Sequence, residues 1–171
     1  KFVGDAILIF FGDPETKGDK EDAYSCVLMA LEMQERMHHL KNLWEGQGIT
    51  NPLEIRIGIN TGYCNVGNFG SENRLDYTII GGEVNLASRL ESNAMTGQIL
   101  ISQETYALIK KHIVCEKKDE IKVKGIAHKI QTYQVVGSYK KIAQKRKILN
   151  EKFDGFNLSL IHISEPTRRY A

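Results

Sequence analysis

An α+β fold, with helices packed on a sheet, is the class this sequence predicts, and three observations carry it. Short runs rich in Ile, Val and Phe alternate along the chain with stretches whose apolar residues keep helical spacing. Several of these runs are joined by Gly-containing connections short enough for hairpins. The chain has 171 residues, 42% hydrophobic and 26% charged, which suits one globular domain with a single sizeable core. A formal net charge of +2 is too small to imply a polyanionic partner. The apolar runs are too short or too interrupted to span a bilayer, and no internal repeat is present.

Taken in order, Phe2 to Phe11 is apolar but interrupted by Gly4-Asp5, so it reads as two strands joined by a tight turn with Asp5 exposed at its tip. Gly12 to Asp19 is a polar loop, and Asp19 is expected to cap a helix running to about Trp44. Ala23, Cys26, Val27, Ala30, Met33, Met37, Leu40 and Trp44 hold the helical spacing of its buried face. His38 and His39 have no clustered partner and read as solvated or dipole-compensating residues rather than metal ligands. After a Gly46 to Pro52 connection, Leu53 to Asn60 alternates Leu, Ile, Ile, Ile against Glu, Arg, Gly, Asn, the pattern of a half-buried strand. Thr61-Gly62 then turns the chain, and Tyr63 to Phe69 returns as a second strand.

Asp76 to Ile80 is a further short strand, followed by a short helix bearing Asn85 and Arg89. Residues i and i+4 share a helix face, so this amide and guanidinium point the same way, while Val84, Leu86 and Leu90 pack. A fixed pair of this kind can grip a charged ligand, although a lone Asn-x-x-x-Arg is more often plain surface. Gln98 to Ser102 is strand-like, Glu104 to His112 helical, and Val114 to Val123 and Lys129 to Gly137 extended, with Gly125 breaking the run between them. Lys140 to Phe153 is basic and helix-compatible, a solvated tail or linker rather than a nucleic-acid patch. Cys26, Cys64 and Cys115 are odd in number, widely spaced and without metal-ligand pattern, which suits free thiols in a reducing, cytoplasmic compartment.

Three segments together carry a family resemblance. Gly81-Gly82-Glu83-Val84-Asn85-Leu86-Ala87-Ser88-Arg89 resembles the hallmark of class III nucleotidyl cyclases, the adenylate and guanylate cyclase catalytic domain. Lys1-Phe2-Val3-Gly4-Asp5-Ala6 and Arg56-Ile57-Gly58-Ile59-Asn60-Thr61-Gly62 match further family segments in the expected order. The resemblance covers roughly Lys1 to Val136. It implies a ferredoxin-like core, truncated at the N-terminus because the family's first strand and following helices are missing, that pairs head to tail as a homodimer with composite active sites.

The implied reaction converts ATP to 3′,5′-cyclic AMP and pyrophosphate, with two Mg²⁺ or Mn²⁺ ions assisting attack of the ribose 3′ oxygen on the α-phosphorus. By the same resemblance Asp5 is one of two metal-binding aspartates, the other lying in the missing strand, so the fragment itself is expected to be inactive. Arg89 matches the arginine that stabilises charge at the α-phosphate, Asn85 the amide that positions the ribose, and Lys124 the lysine that holds the terminal phosphates. Lys1 and Thr78 match the two base-selecting positions. Lysine favours adenine where guanylate cyclases carry glutamate, and a threonine hydroxyl can accept from the adenine amino group. The Lys/Thr pair resembles a subgroup often responsive to bicarbonate.

The alternatives are a guanylate cyclase and a degenerate, noncatalytic dimerisation or regulatory module; exposed aromatics on a basic face, as a nucleic-acid binder would need, are not evident. The expected organisation is a partial catalytic domain over 1–137, a basic linker over 138–157, and a non-native stretch over 158–171 that resembles a translated sequencing adapter. An upstream sensor or regulatory domain, with or without a membrane anchor, is expected in the parent.

Overall fold

The computed structural model describes residues 1–71, 74–123 and 129–152. Lys124, the Gly125 break, Phe153 and the 158–171 stretch lie outside the described residues. The chain divides into two units, Lys1–Tyr139 and Lys140–Ala171. Of the second, the described part belongs to one basic helix, α4 (Tyr139–Lys152).

The first unit opens with β1 (Phe2–Val3) and β2 (Ala6–Ile7), an antiparallel hairpin in which Phe2 faces Ile7 and Val3 faces Ala6. Gly4 takes a φ of 63°, the left-handed value a two-residue hairpin requires at its first central position, and this puts Asp5 at the tip. The Leu8 amide bonds the Lys1 carbonyl at 2.8 Å, carrying the pairing one step further.

Helix α1 (Asp19–Gly46) follows. Asp19 is its first helical residue and not its cap; Gly18 occupies the cap position without a side-chain bond. Asp22 instead ties the incoming loop to the first turn: its carboxylate accepts from the Lys17 amide at 3.2 Å and from the Thr16 hydroxyl at 2.5 Å. An acid at the fourth helical position can reach back over the first turn, whereas Asp19 is already committed to helical backbone.

The main sheet has the order β3–β6–β8–β7, from β3 (Ile57–Ile59), β6 (Ile99–Ser102), β7 (Ile113–Lys117) and β8 (Thr132–Ser138). β3 runs parallel to β6, and the other pairs are antiparallel. Between β3 and β6 the chain forms a separate hairpin, β4 (Asn65–Ser71) with β5 (Arg74–Ile80), and then helix α2 (Gly82–Asn93). Helix α3 (Gln103–Ile109) follows β6 and is capped by Ser102, whose hydroxyl accepts from the Thr105 amide.

Two layers of side chains cover the sheet. On one face Ile59, Ile99, Ile101, Ile113 and Val135 bury against Ala23, Val27 and Ala30 of α1 and Ile109 of α3. On the other, Leu100 packs with Leu86, Leu90 and Ala94 of the α2 segment and with Val123 and Ile130. Leu90 is fully buried, a burial worth about 1.5–3 kcal/mol for such a side chain.

Three local expectations give way to this packing. Leu53–Asn60 is strand only over Ile57–Ile59, because the Ile55 carbonyl is taken by the Gln34 side chain and the Gly97 amide instead of a ladder partner. β4 does not return against β3; it pairs with β5, leaving β3 free for its parallel partner β6. The Val114–Val123 run is strand only to Lys117, continued by an isolated bridge between Ile121 and Ile130.

Candidate active site

Thr78 sits on β5 opposite Gly67 of β4 and is buried, while its strand neighbours Asp76 and Tyr77 are exposed. The Lys1 ammonium lies 3.0 Å from Asp76 Oδ2. Asp76 and Thr78, two residues apart on a strand, share a face. The hairpin residue Lys1 is thereby held against the strand that carries Thr78, so the two base-selecting candidates fall in one neighbourhood. The Tyr77 hydroxyl, on the opposite face, donates to Asp13, tying β5 to the loop before α1.

β5 ends at Ile80, and after Gly81 the chain enters α2 directly. Asn85 and Arg89 are both exposed on this helix, one turn apart, and neither side chain makes a hydrogen bond or ion pair among the described residues. An open guanidinium beside an open amide is a ready cradle for phosphate and sugar oxygens.

Leu86 and Leu90 anchor α2 in the core as its own sequence indicates, but a second hold comes from a distant segment. Gly58 lies beneath the helix so closely that a Cβ there would collide with the Glu91 amide nitrogen and the Ala87 carbonyl oxygen, and would stand 2.8 Å from Glu91 Cα. On either side, Arg56 Nε pairs with Glu91 Oε1 at 2.5 Å, and the Asn60 amide donates to Glu83 Oε2 at 2.7 Å and to the Glu83 carbonyl at 3.2 Å. The alternation read as a half-buried strand therefore has its polar face covered by a helix, because a glycine at its centre lets helix backbone approach. The adjoining loop is fastened to α3 as well, through the Thr61 hydroxyl, 3.0 Å from that of Thr105.

Asp5 stands at the tip of the β1–β2 hairpin, exposed and joined to none of these residues by a hydrogen bond or ion pair among the described residues. No group of three His, Cys, Asp or Glu side chains among the described residues could hold a metal ion. One exposed carboxylate falls short of the donor set that a two-ion site needs.

The three cysteines are free. Burial pushes the Cys26 and Cys115 thiols up to about 11 and raises that of Cys64 as well. The thiolate is the nucleophile, so at pH 8 native Cys26 and Cys115 should alkylate roughly two orders of magnitude more slowly than in the denatured chain. Peptide-resolved labelling with iodoacetamide measures this, and equal native and denatured rates would contradict it.

The Adenylate and Guanylate cyclase catalytic domain model matches residues 1–137. The chain belongs to this family. The adenylyl cyclase CyaB from P. aeruginosa superposes with a TM-score of 0.79 at 59% identity, covering 82% of this chain and 71% of that one. The guanylyl cyclase Cya2 superposes with a TM-score of 0.74 at 36% identity, covering 81% and 68%. The terminal-differentiation specific adenylate cyclase of Dictyostelium discoideum is 33% identical over 99% of this chain, which spans only 8% of that relative's length. The mixed α+β architecture is that of cyclase catalytic domains. No helix among the described residues is long and apolar enough to cross a membrane.

Proposed function

We propose that this cyclase domain serves an adenylate cyclase, making 3′,5′-cyclic AMP and pyrophosphate from ATP for nucleotide signalling. The observation that carries the proposal is Arg89: a permanent cation with no partner among the described residues, one turn from Asn85, on a helix whose other side is pinned to the sheet. In this reading the ribose 3′-OH gives up its proton to water, the O3′–Pα bond forms, and the bond from Pα to the leaving pyrophosphate breaks. Arg89 meets the charge that grows on the α-phosphate oxygens, and Asn85 orients the ribose. The adenine edge lies between Lys1 and Thr78, with the Lys1 ammonium now held by Asp76 as the donor to the base. Lys124 is proposed to hold the terminal phosphates.

Asp5 contributes one carboxylate toward a divalent cation, which supplies Lewis-acid chemistry at phosphate oxygens when bound. A second copy of the domain completes the site, Asp5 of one protomer facing Arg89 of its partner. The free thiols fit a cytosolic location. Residues 1–137 are proposed as the catalytic part and 138–157 as a linker.

Competition between ATP and GTP, in the full-length protein containing this domain, tests the substrate. ATP should be favoured at least about tenfold in kcat/KM, since a site built to hydrogen-bond one base edge leaves buried polar groups unpaired with the other. A preference for GTP would overturn the assignment of Lys1 and Thr78, and absence of pyrophosphate release from either nucleotide with magnesium or manganese would overturn the activity.

A further inference from the structure

Arg56, Gly58 and Asn60 alternate along one face of the segment that runs through β3. Glu91, Ala87 and Glu83 recur every four residues along one side of α2. The two rows meet in opposite order: Arg56 on Glu91, Gly58 beneath Ala87 and Glu91, Asn60 on Glu83. Two strand residues advance about 6.6 Å and four helix residues about 6 Å, so three successive contacts stay nearly in step. Gly62 extends the arrangement, because a Cβ there would stand 2.5 Å from Glu83 Cγ, and its absence is what lets the Glu83 side chain fold over the loop toward Asn60.

At 100° per residue, Asn85 and Arg89 stand about 200° around the helix from Glu83 and Ala87. The helix is fastened along one side and offers its ligand-facing pair on the other. We infer that Asn60 and Glu83 are positioning residues, a clasp that fixes the first turn of α2 and so the reach of Asn85 and Arg89 toward the nucleotide. This rests on the cyclase reading for its consequence, though not for its geometry. Arg56–Glu91 is half exposed, with 48% and 36% of the two side chains accessible, and holds the far end of the helix in solvent, where an ion pair is weak. The Asn60–Glu83 contact is the more enclosed. The Asn60 Nδ2 is committed to Glu83 and its Oδ1 is buried without a partner among the described residues, so turning the amide over would set oxygen against two oxygens.

The test compares Glu83→Ala, Glu83→Gln, Asn60→Asp and the double variant N60D/E83Q. In the active enzyme, Glu83→Ala and Asn60→Asp should each lower kcat at least about tenfold with KM for ATP moving less than about threefold, since small misplacements of reacting groups are costly in rate. Glu83→Gln keeps an acceptor for the Asn60 amide and should hold kcat within about threefold. N60D/E83Q restores the side-chain donor and acceptor with their places exchanged but not the bond to the Glu83 carbonyl, and should recover part of the loss in Asn60→Asp. Hydrogen exchange on the chain itself is the second readout: Glu83→Ala should speed exchange of the Asn85–Ala87 amides, which in an α-helix bond back to the first-turn carbonyls, while Leu90–Asn93 stays protected. Glu83→Gln failing as badly as Glu83→Ala, or unchanged exchange at those amides, overturns the clasp. A wild-type enzyme without turnover defeats the cyclase reading instead, and the exchange pattern alone then decides the clasp.

Discussion

Replacing Arg89 by lysine should lower kcat of an active enzyme carrying this domain by two to three orders of magnitude while leaving the thermal midpoint of the domain almost unmoved. The two halves of that expectation have separate physical grounds. Arg89 is exposed and makes no side-chain hydrogen bond or ion pair among the described residues, so its removal breaks nothing in the fold. Surface substitutions of this kind stay within about 0.5 kcal/mol. Its backbone carbonyl does accept from the Asn93 side chain at 2.8 Å, but lysine preserves that bond. Catalysis is another matter, because a lysine ammonium is a point charge on a flexible stem and cannot donate through a planar fork to two phosphate oxygens at once. Losing a preorganised donor at a centre of developing charge typically costs about 3–4 kcal/mol. Steady-state kinetics beside a melting curve separates the two effects; a lysine variant retaining more than a tenth of wild-type kcat would remove Arg89 from the transition state.

The parts of this arrangement that could be read from sequence are those that depend on one element alone. The shared helix face of Asn85 and Arg89 follows from 3.6-residue periodicity, and the structure sets both on the exposed side of α2. The Gly4-Asp5 turn likewise follows from a glycine between two apolar pairs, and it puts Asp5 at a hairpin tip. Local periodicity does not say what covers a face. Arg56, Gly58 and Asn60 are polar or small, and a period-two pattern assigns such a row to solvent; only the complementary row on α2, more than twenty residues later, turns it into a mount. The same blindness to distant partners explains β3. Its alternation is equally compatible with a hairpin to β4 and with a parallel pairing to β6, and the burial of Ile59 among Ile99, Ile101 and the α1 alanines decides in favour of the second. Lys1 meeting Asp76 is a contact across 75 residues, for which neither residue type gives a local signal.

Gly58→Val should be the most destabilising single substitution tried in this domain. The atoms a new Cβ would strike are backbone, the Glu91 nitrogen and Cα and the Ala87 carbonyl, so no side-chain rotation relieves the clash. Either α2 lifts from the sheet or β3 shifts away from β6, and both routes loosen the packing of Leu86, Leu90 and Leu100. Overpacking of this kind costs about 1–3 kcal/mol, and occasionally more. In a chain of this length each kcal/mol lowers the thermal midpoint by about 2–4 °C. Gly46→Ala is the proper comparison, since nothing among the described residues lies within 4 Å of a Cβ at that last residue of α1, and alanine there should add up to about 0.5 kcal/mol. The two glycines therefore predict opposite signs in one melting experiment. In the active enzyme, a variant at Gly58 that still folds should lose about a hundredfold in kcat, because a helix displaced by 1 Å carries Asn85 and Arg89 with it. A Gly58→Val domain melting with the wild type would mean that α2 does not rest on the β3 backbone, and the mount along Arg56, Gly58 and Asn60 would fall with it.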